Sequence, residues 1–232
     1  MDGIFELNIK NYWNYYLELE KEVLETRKFI EFDELNYECF SIEFLKLYQA
    51  ICSEIDTLGR YLAKTLEEDF NPNNGNISRW WYILSNNLFL SKNIRDGWNK
   101  NERKINIKNF EIQNYIFNHS ITPWNNFEVE RRVNKNGNVY FRSKSTSKVP
   151  TWWSDYNCVK HSRTILNTNK RINYYKANLK NVIDSLSALY VLEIALLQQF
   201  GNENNLQSFI NKSEMFEKNS FLTDDELDEI LK

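Results

Sequence analysis

From Leu179 to Phe200 the chain is apolar on nearly every side of a helix. Leu179, Val182, Ile183, Leu186, Leu189, Val191, Leu192, Ile194 and Leu196 leave no wide polar face. A helix of that kind must be surrounded, so it belongs at the centre of a helical bundle. Its longest apolar stretch, Leu186 to Leu197, is interrupted by Ser187 and Glu193 and is too short to span a bilayer. The reading is therefore a core helix, about 172–200, and no membrane partner. Only 6 Gly and 3 Pro punctuate the 232 residues, which further favours helices.

The remaining elements follow from periodicity. Tyr12, Tyr15, Tyr16, Leu19, Val23 and Ile30 give a first helix over about 4–32. Ser41 is the N-cap expected for a second, running to about Glu68 through Phe44, Tyr48, Ile51, Ile55, Leu58 and Leu62. N-P-N-N-G-N at 71–76 is a turn, and a third helix covers about 78–89. Between about 105 and 148 helical spacing fades. F-E-V-E-R-R-V and V-Y-F-R-S flank a turn containing Asn136-Gly137, which predicts a β-hairpin insertion. Pro150 and Thr151 then restart a helix, with Thr151 as its N-cap. The fold class is mainly α: one domain over 1–200, a bundle of four to five long helices with a small β-hairpin insertion at about 105–148. A polar, acidic tail occupies 201–232. Its T-D-D-E-L-D-E-I-L at 223–231 reads either as a frayed terminus or as a segment that docks on a partner or on this chain's own basic stretch.

That basic stretch is Arg131 to Lys180. It holds twelve Lys and Arg against one acid, Asp155, a net of +11 in a chain whose total is −3. Segregated charge of this kind marks a surface for a polyanion or an acidic partner. Cys39, Cys52 and Cys158 are odd in number and far apart, which argues against a disulfide framework and suits a cytoplasmic setting. Cys158 and His161 have C-x-x-H spacing, but the other two cysteines are isolated, so no metal site is expected. No phosphate-cradling glycine loop or nucleotide fingerprint is present, and no cofactor is expected.

T-W-W-S-D-Y-N-C-V-K-H-S-R, Thr151 to Arg163, is the candidate site. At about 100° per residue, Trp153, Lys160, His161 and Thr164 fall within about 60° of Asn157 and form one stripe. Tyr156, Val159 and Trp152 lie on the other side. His161 is the candidate general base or acid, Lys160 and Arg163 the phosphate-holding cations, and Asn157 the group that orients the imidazole. The alternative is a structural histidine bonded to Asn157 or to a backbone carbonyl. Adjacent Trp152 and Trp153 are expected to divide their roles. One anchors the helix, and Trp153 is the candidate to stack on a base beside Arg131, Arg142, Lys144 and Lys148; the alternative is a satellite hydrophobic cluster under the hairpin. On the second helix Glu54 sits at the edge of an apolar face, with Lys160, Arg163 or His161 as candidate partners. Asp56 and Arg60 form an i,i+4 pair, expected to be a surface bridge.

W-W-S-D-Y-N-C-V-K-H-S-R followed by A-N-L-K-N-V-I-D-S-L-S-A-L-Y-V-L resembles the helical proteins of bacterial and phage defence grouped as HEPN-type, abortive-infection proteins among them. The likeness covers the last two helices and, more loosely, the first pair. It implies a helical bundle, a homodimer and metal-independent endoribonuclease activity on RNA. The family's usual motif is Arg, four to six residues, then His. Here the matching positions before His161 are Ser154, Asp155 and Tyr156, and the Asn157–Lys160–His161 stripe with Arg163 stands in its place. The resemblance thus implies a ribonuclease using His161. The other reading is a non-enzymatic module whose basic surface binds RNA, other nucleic acid or an acidic protein.

Overall fold

The computed structural model describes residues 2–96, 99–166, 170–200 and 213–217. The chain is mainly α. Its five helices are α1 (Asp2–Glu25), α2 (Ile42–Leu66), α3 (Ile77–Asn87), α4 (Thr151–Ser162) and α5 (Leu179–Phe200). Three exceed twenty residues; α3 and α4 have 11 and 12. The expectation of four to five long helices thus overcounts. Between α3 and α4 lie β1 (Phe89–Asp96), β2 (Asn99–Asn106), β3 (Ile112–Asn114), β4 (His119–Ile121), β5 (Val129–Val133) and β6 (Val139–Ser143). The last strand, β7, is Phe216–Glu217.

α5 is the core helix that its composition requires. Leu186 and Ala188 to Leu192 are all buried, as are Ile194 to Leu196. The helix that forms is longer than the apolar run in the sequence. Leu179–Gln199 is apolar and long enough to cross a membrane by length and composition, yet most of it is enclosed by the protein itself. It packs against α1, α2 and α4. α2 contributes Phe44, Tyr48, Ile51, Ile55, Leu58 and Leu62, all fully buried, and Ser41 caps it by accepting from the Phe44 N–H at 3.0 Å.

Gly59 in the middle of α2 has a packing reason. A Cβ there would lie 2.8 Å from the Trp80 indole, so α3 approaches α2 only because that side chain is missing. Trp80 and Trp81 of α3 open an aromatic cluster that ties the β region to the helices. Trp81 stacks on Trp124 at 4.3 Å and on Phe127 at 5.7 Å, and Trp152 of α4 meets Trp124 edge-on at 5.1 Å. Each indole N–H is satisfied: by Asp56 for Trp80, and by the carbonyls of Phe127, Ala188 and Pro123 for Trp81, Trp124 and Trp152.

The predicted hairpin is β5–β6, in antiparallel register from Val129↔Ser143 to Val133↔Val139. Gly137 takes a φ of 78°, and the Asn134 side chain accepts from the Asn136 and Asn138 N–H groups to close the turn. The β region begins earlier than expected, because β1 pairs with β2 from Phe89↔Asn106 to Asp96↔Asn99. The strand segment N-K-N-E-R-K-I-N is polar and lacks apolar alternation, so composition conceals it.

The tail is not wholly separate either. Residues 213–217 return to the body, where β7 pairs with β3 to give the order β4-β3-β7. Met215 and Phe216 are buried. Buried Glu20 of α1 accepts from Tyr16 Oη at 2.7 Å, from the Glu214 N–H at 2.9 Å, from the Met215 N–H at 3.2 Å and from Ser213 Oγ. The docked piece therefore sits on α1 rather than on the basic stretch. The acidic piece at 223–231 lies outside the described residues.

Candidate nucleic-acid interface

α4 begins at Pro150, whose carbonyl accepts from the Trp153 and Ser154 N–H groups at 3.0 Å. The N-cap is Pro150 rather than Thr151, and no side chain caps this end. Trp152, Trp153, Tyr156 and Val159 are buried. Both tryptophans enter the core, against the expectation that adjacent ones divide. They meet edge-on at 5.8 Å, and Trp153 packs on Tyr156 at 5.3 Å. Trp153 is only 7% exposed, so it offers no face to a base. The apolar face of α4 is wider than an ideal wheel predicts, because α4 lies in a corner lined by α2, α5 and Trp124.

The outer face carries the candidate residues. Lys160, His161 and Arg163 are exposed and Asn157 is half-buried. Lys160 Nζ lies 5.4 Å from the centre of the Tyr156 ring, a cation–π contact that leaves the ammonium facing solvent. Among the described residues His161 has no hydrogen-bond or ion-pair partner, so Asn157 does not orient it. Nor is it the structural histidine of the alternative reading. Lys160 and His161 also sit in the last turn of α4, where the helix dipole favours positive charge.

Past this end the chain folds back on itself. The Asn173 side chain donates to the Ser162 carbonyl at 2.9 Å, the Tyr174 N–H to the Arg163 carbonyl at 3.0 Å, and Leu166 bridges Ile172. This loop exposes Arg163, Lys170 and Arg171 together with Ile165 and Leu166. It lies beside the segment before α2, because Phe40 bridges Asn178 and the Leu179 N–H donates to the Cys39 carbonyl at 2.9 Å. The contact builds an aromatic cluster at the surface. Phe40, 39% exposed, meets Tyr175 edge-on at 4.2 Å and Tyr174 at 5.5 Å. Sequence reasoning missed these rings, since Phe40 is far from the others along the chain. Y-Y between Arg171 and Lys176 was the available signal.

The other bases of the stretch are largely engaged. Asp155 accepts from Lys176 at 2.5 Å and from the Asn181 side chain at 3.1 Å. Burial works against the Lys176 ammonium, but the bond and charge of Asp155 outweigh it and raise its pKa. Lys180 pairs with Asp184 at 2.6 Å. On the hairpin, Lys144 pairs with Glu128 at 2.8 Å, and Arg142 and Arg132 both face Glu130. The hydrogen bonds from Lys144 and Lys108 hold the Glu128 carboxyl below its ordinary range. Arg131 and Lys148 are exposed. The hairpin rests on α3. Arg142 and Lys144 are therefore poor phosphate ligands, since acids just outside the stretch, Glu128 and Glu130, already neutralise them.

Glu54 does not meet the bases of α4. Burial raises its pKa, and its charge acts on Tyr12 and Tyr15 of α1 and on the Glu193 carboxyl of α5. Asp56 and Arg60 do pair, at 2.8 Å, and Asp56 also accepts from Trp80, so it is more than a surface bridge. Cys39, Cys52 and Cys158 are free thiols. Among the described residues no group of three metal-ligating side chains forms. No protein-family model, curated protein or solved structure matches the chain.

Proposed function

We propose that the chain binds single-stranded RNA through the cationic end of α4, as a HEPN-like defence protein of the abortive-infection kind. In this reading α1, α2 and α5 form the family's bundle, and two copies associate as a homodimer. The supporting observation is that exposed Arg163, which ends α4 just past exposed Lys160 and His161, is joined through its backbone carbonyl to Tyr174 of the Phe40–Tyr174–Tyr175 cluster. Cations that track phosphates beside rings that stack on bases are how single strands are held. Phe40 and Tyr175 take the role that the sequence assigned to Trp153.

A second reading adds chemistry to the same surface. His161, exposed between Lys160 and Arg163, would take the proton of an RNA 2′-hydroxyl. The alkoxide would attack the adjacent phosphate while the two cations stabilise the developing charge. The unoriented imidazole makes binding the stronger of the two readings.

The test is fluorescence anisotropy with a labelled single-stranded RNA, alongside a cleavage assay in EDTA. Joint Lys160→Ala and Arg163→Ala replacement is expected to weaken binding and flatten its salt dependence. His161→Ala is expected to leave binding near wild type and to abolish any cleavage. Binding indifferent to salt would refute the RNA surface. Binding of a poly-glutamate peptide in preference to RNA would point to an acidic protein partner.

A further inference from the structure

Glu193 is the one glutamate on the core helix. It is fully buried, and neither of its carboxyl oxygens has a hydrogen-bond partner within the described protein. Its neighbours in the core show how unusual this is. Ser185 and Ser187 of the same helix donate to the Val182 and Asp184 carbonyls, and buried Glu20 accepts four hydrogen bonds. A buried carboxyl without partners is costly in either protonation state.

The surroundings of Glu193 come from three helices. Tyr190, one turn earlier on α5, packs on Trp13 and Tyr16 of α1. Glu193, three residues on, keeps to the same side of α5. Tyr12 and Tyr61 of α2 hold their rings 5.4 Å apart at 37°. Glu54, two turns before Tyr61 on the same face of α2, is half-buried, and its charge adds to burial in raising the Glu193 carboxyl. Tyr15, 44% exposed, marks the solvent side. Tyr12, Glu54 and Tyr61 are half-buried, between exposed Tyr15 and fully buried Glu193. Among the described residues no cation offsets the burial penalty of Glu54 or Glu193.

We propose that Glu193 and Glu54, walled by Tyr12, Tyr15 and Tyr61, form a binding site for a primary alkylammonium group. The donor set selects this class. An ammonium brings three N–H donors to the unpartnered carboxyl oxygens, and its charge and methylenes suit tyrosine faces. A divalent metal needs six or more oxygens in a defined geometry, and two carboxylates do not supply a cage. Burial, and after it the charge of Glu54, push the Glu193 carboxyl up, which favours its neutral form in the empty site. A bound cation favours the ionised form, so binding shifts the carboxyl towards giving its proton to solvent. This site is separate from the RNA surface on α4 and does not depend on it.

The experiment is thermal unfolding and titration calorimetry of the full chain at pH 7 with n-butylamine, tetramethylammonium and magnesium as probes. n-Butylammonium is expected to raise the melting temperature saturably. Calorimetry in two buffers of different ionisation enthalpy is expected to show proton release on binding. Glu193→Gln is expected to weaken binding by about tenfold or more, the worth of a charge-assisted hydrogen bond. Glu54→Gln is expected to weaken it too, and it serves if the first variant does not fold by circular dichroism. Saturable stabilisation by magnesium alone would overturn the assignment. So would equal stabilisation by tetramethylammonium, which lacks N–H donors, unchanged binding in both variants, or no saturable effect of n-butylamine.

Discussion

Replacing Glu193 with leucine should stabilise the free protein, and the gain should depend on pH in a predictable direction. At low pH the carboxyl is protonated in both folded and unfolded states. The folded protein then carries a neutral acid with no hydrogen-bond partner. Removing such a group is worth about 1–3 kcal/mol on the scale of protein substitutions. Leucine also extends the apolar surface of α5 among Leu189, Leu192 and Leu196, all buried. As pH rises past the ordinary glutamate value of about 4.3, the unfolded chain loses its proton while the folded one keeps it, because burial and Glu54 raise the folded pKa. In that window the folded state binds more protons, so wild-type stability falls by up to about 1.4 kcal/mol per pH unit from this group. The loss ends once pH exceeds the folded pKa. The leucine variant lacks this component, so its advantage should widen steadily above pH 4.3. Urea unfolding followed by tryptophan fluorescence, from pH 4 to 8 in amine-free buffer, measures both curves. A variant less stable than wild type at pH 7, or two curves that stay parallel, would refute the view that Glu193 is buried without a partner.

Glu20→Ala should release the docked 213–217 segment, since the side chain accepts from Ser213, Glu214 and Met215. Exposing Met215 and Phe216 costs about 3 kcal/mol or more, and limited proteolysis should cut near Met215 before the core. Gly59→Ala should destabilise by about 1–2 kcal/mol in thermal melts. Overpacking against Trp80 at 2.8 Å outweighs the gain in helix propensity. Lys144→Ala should barely change RNA affinity in an anisotropy titration, because Glu128 holds that ammonium; a loss as large as that of Lys160→Ala would contradict this. Phe40→Ala should weaken RNA binding by about 1–3 kcal/mol, the worth of one stacked base, with circular dichroism unchanged.

The candidate surface was legible in part. The exposure of Lys160, His161 and Arg163 was legible because the apolar positions of α4 lie elsewhere on the helix. Trp153 was misplaced because the wheel fixes direction but not the width of the corner into which a helix packs. Phe40 could not be joined to Tyr174 and Tyr175, more than 130 residues away, without the backbone bridge from Phe40 to Asn178. The hairpin bases illustrate the same limit. Charge along the sequence sums to +11, yet strand register sets Arg142 opposite Glu130 and spends it there.

By itself the sequence determined the helices, the cap at Ser41, the turn at Gly137 and the central position of α5. Each depends on residues within a few positions of one another, where propensity, capping and periodicity act. Tertiary structure alone decided which glutamate is satisfied and which is not. Glu20, Glu54 and Glu193 are alike as letters on amphipathic or apolar helices. Glu20 meets the backbone of a segment almost two hundred residues on, while neither carboxyl oxygen of Glu193 meets a hydrogen-bond partner among the described residues. The difference arises because desolvation and hydrogen bonding depend on neighbours in space, and those neighbours are chosen by packing.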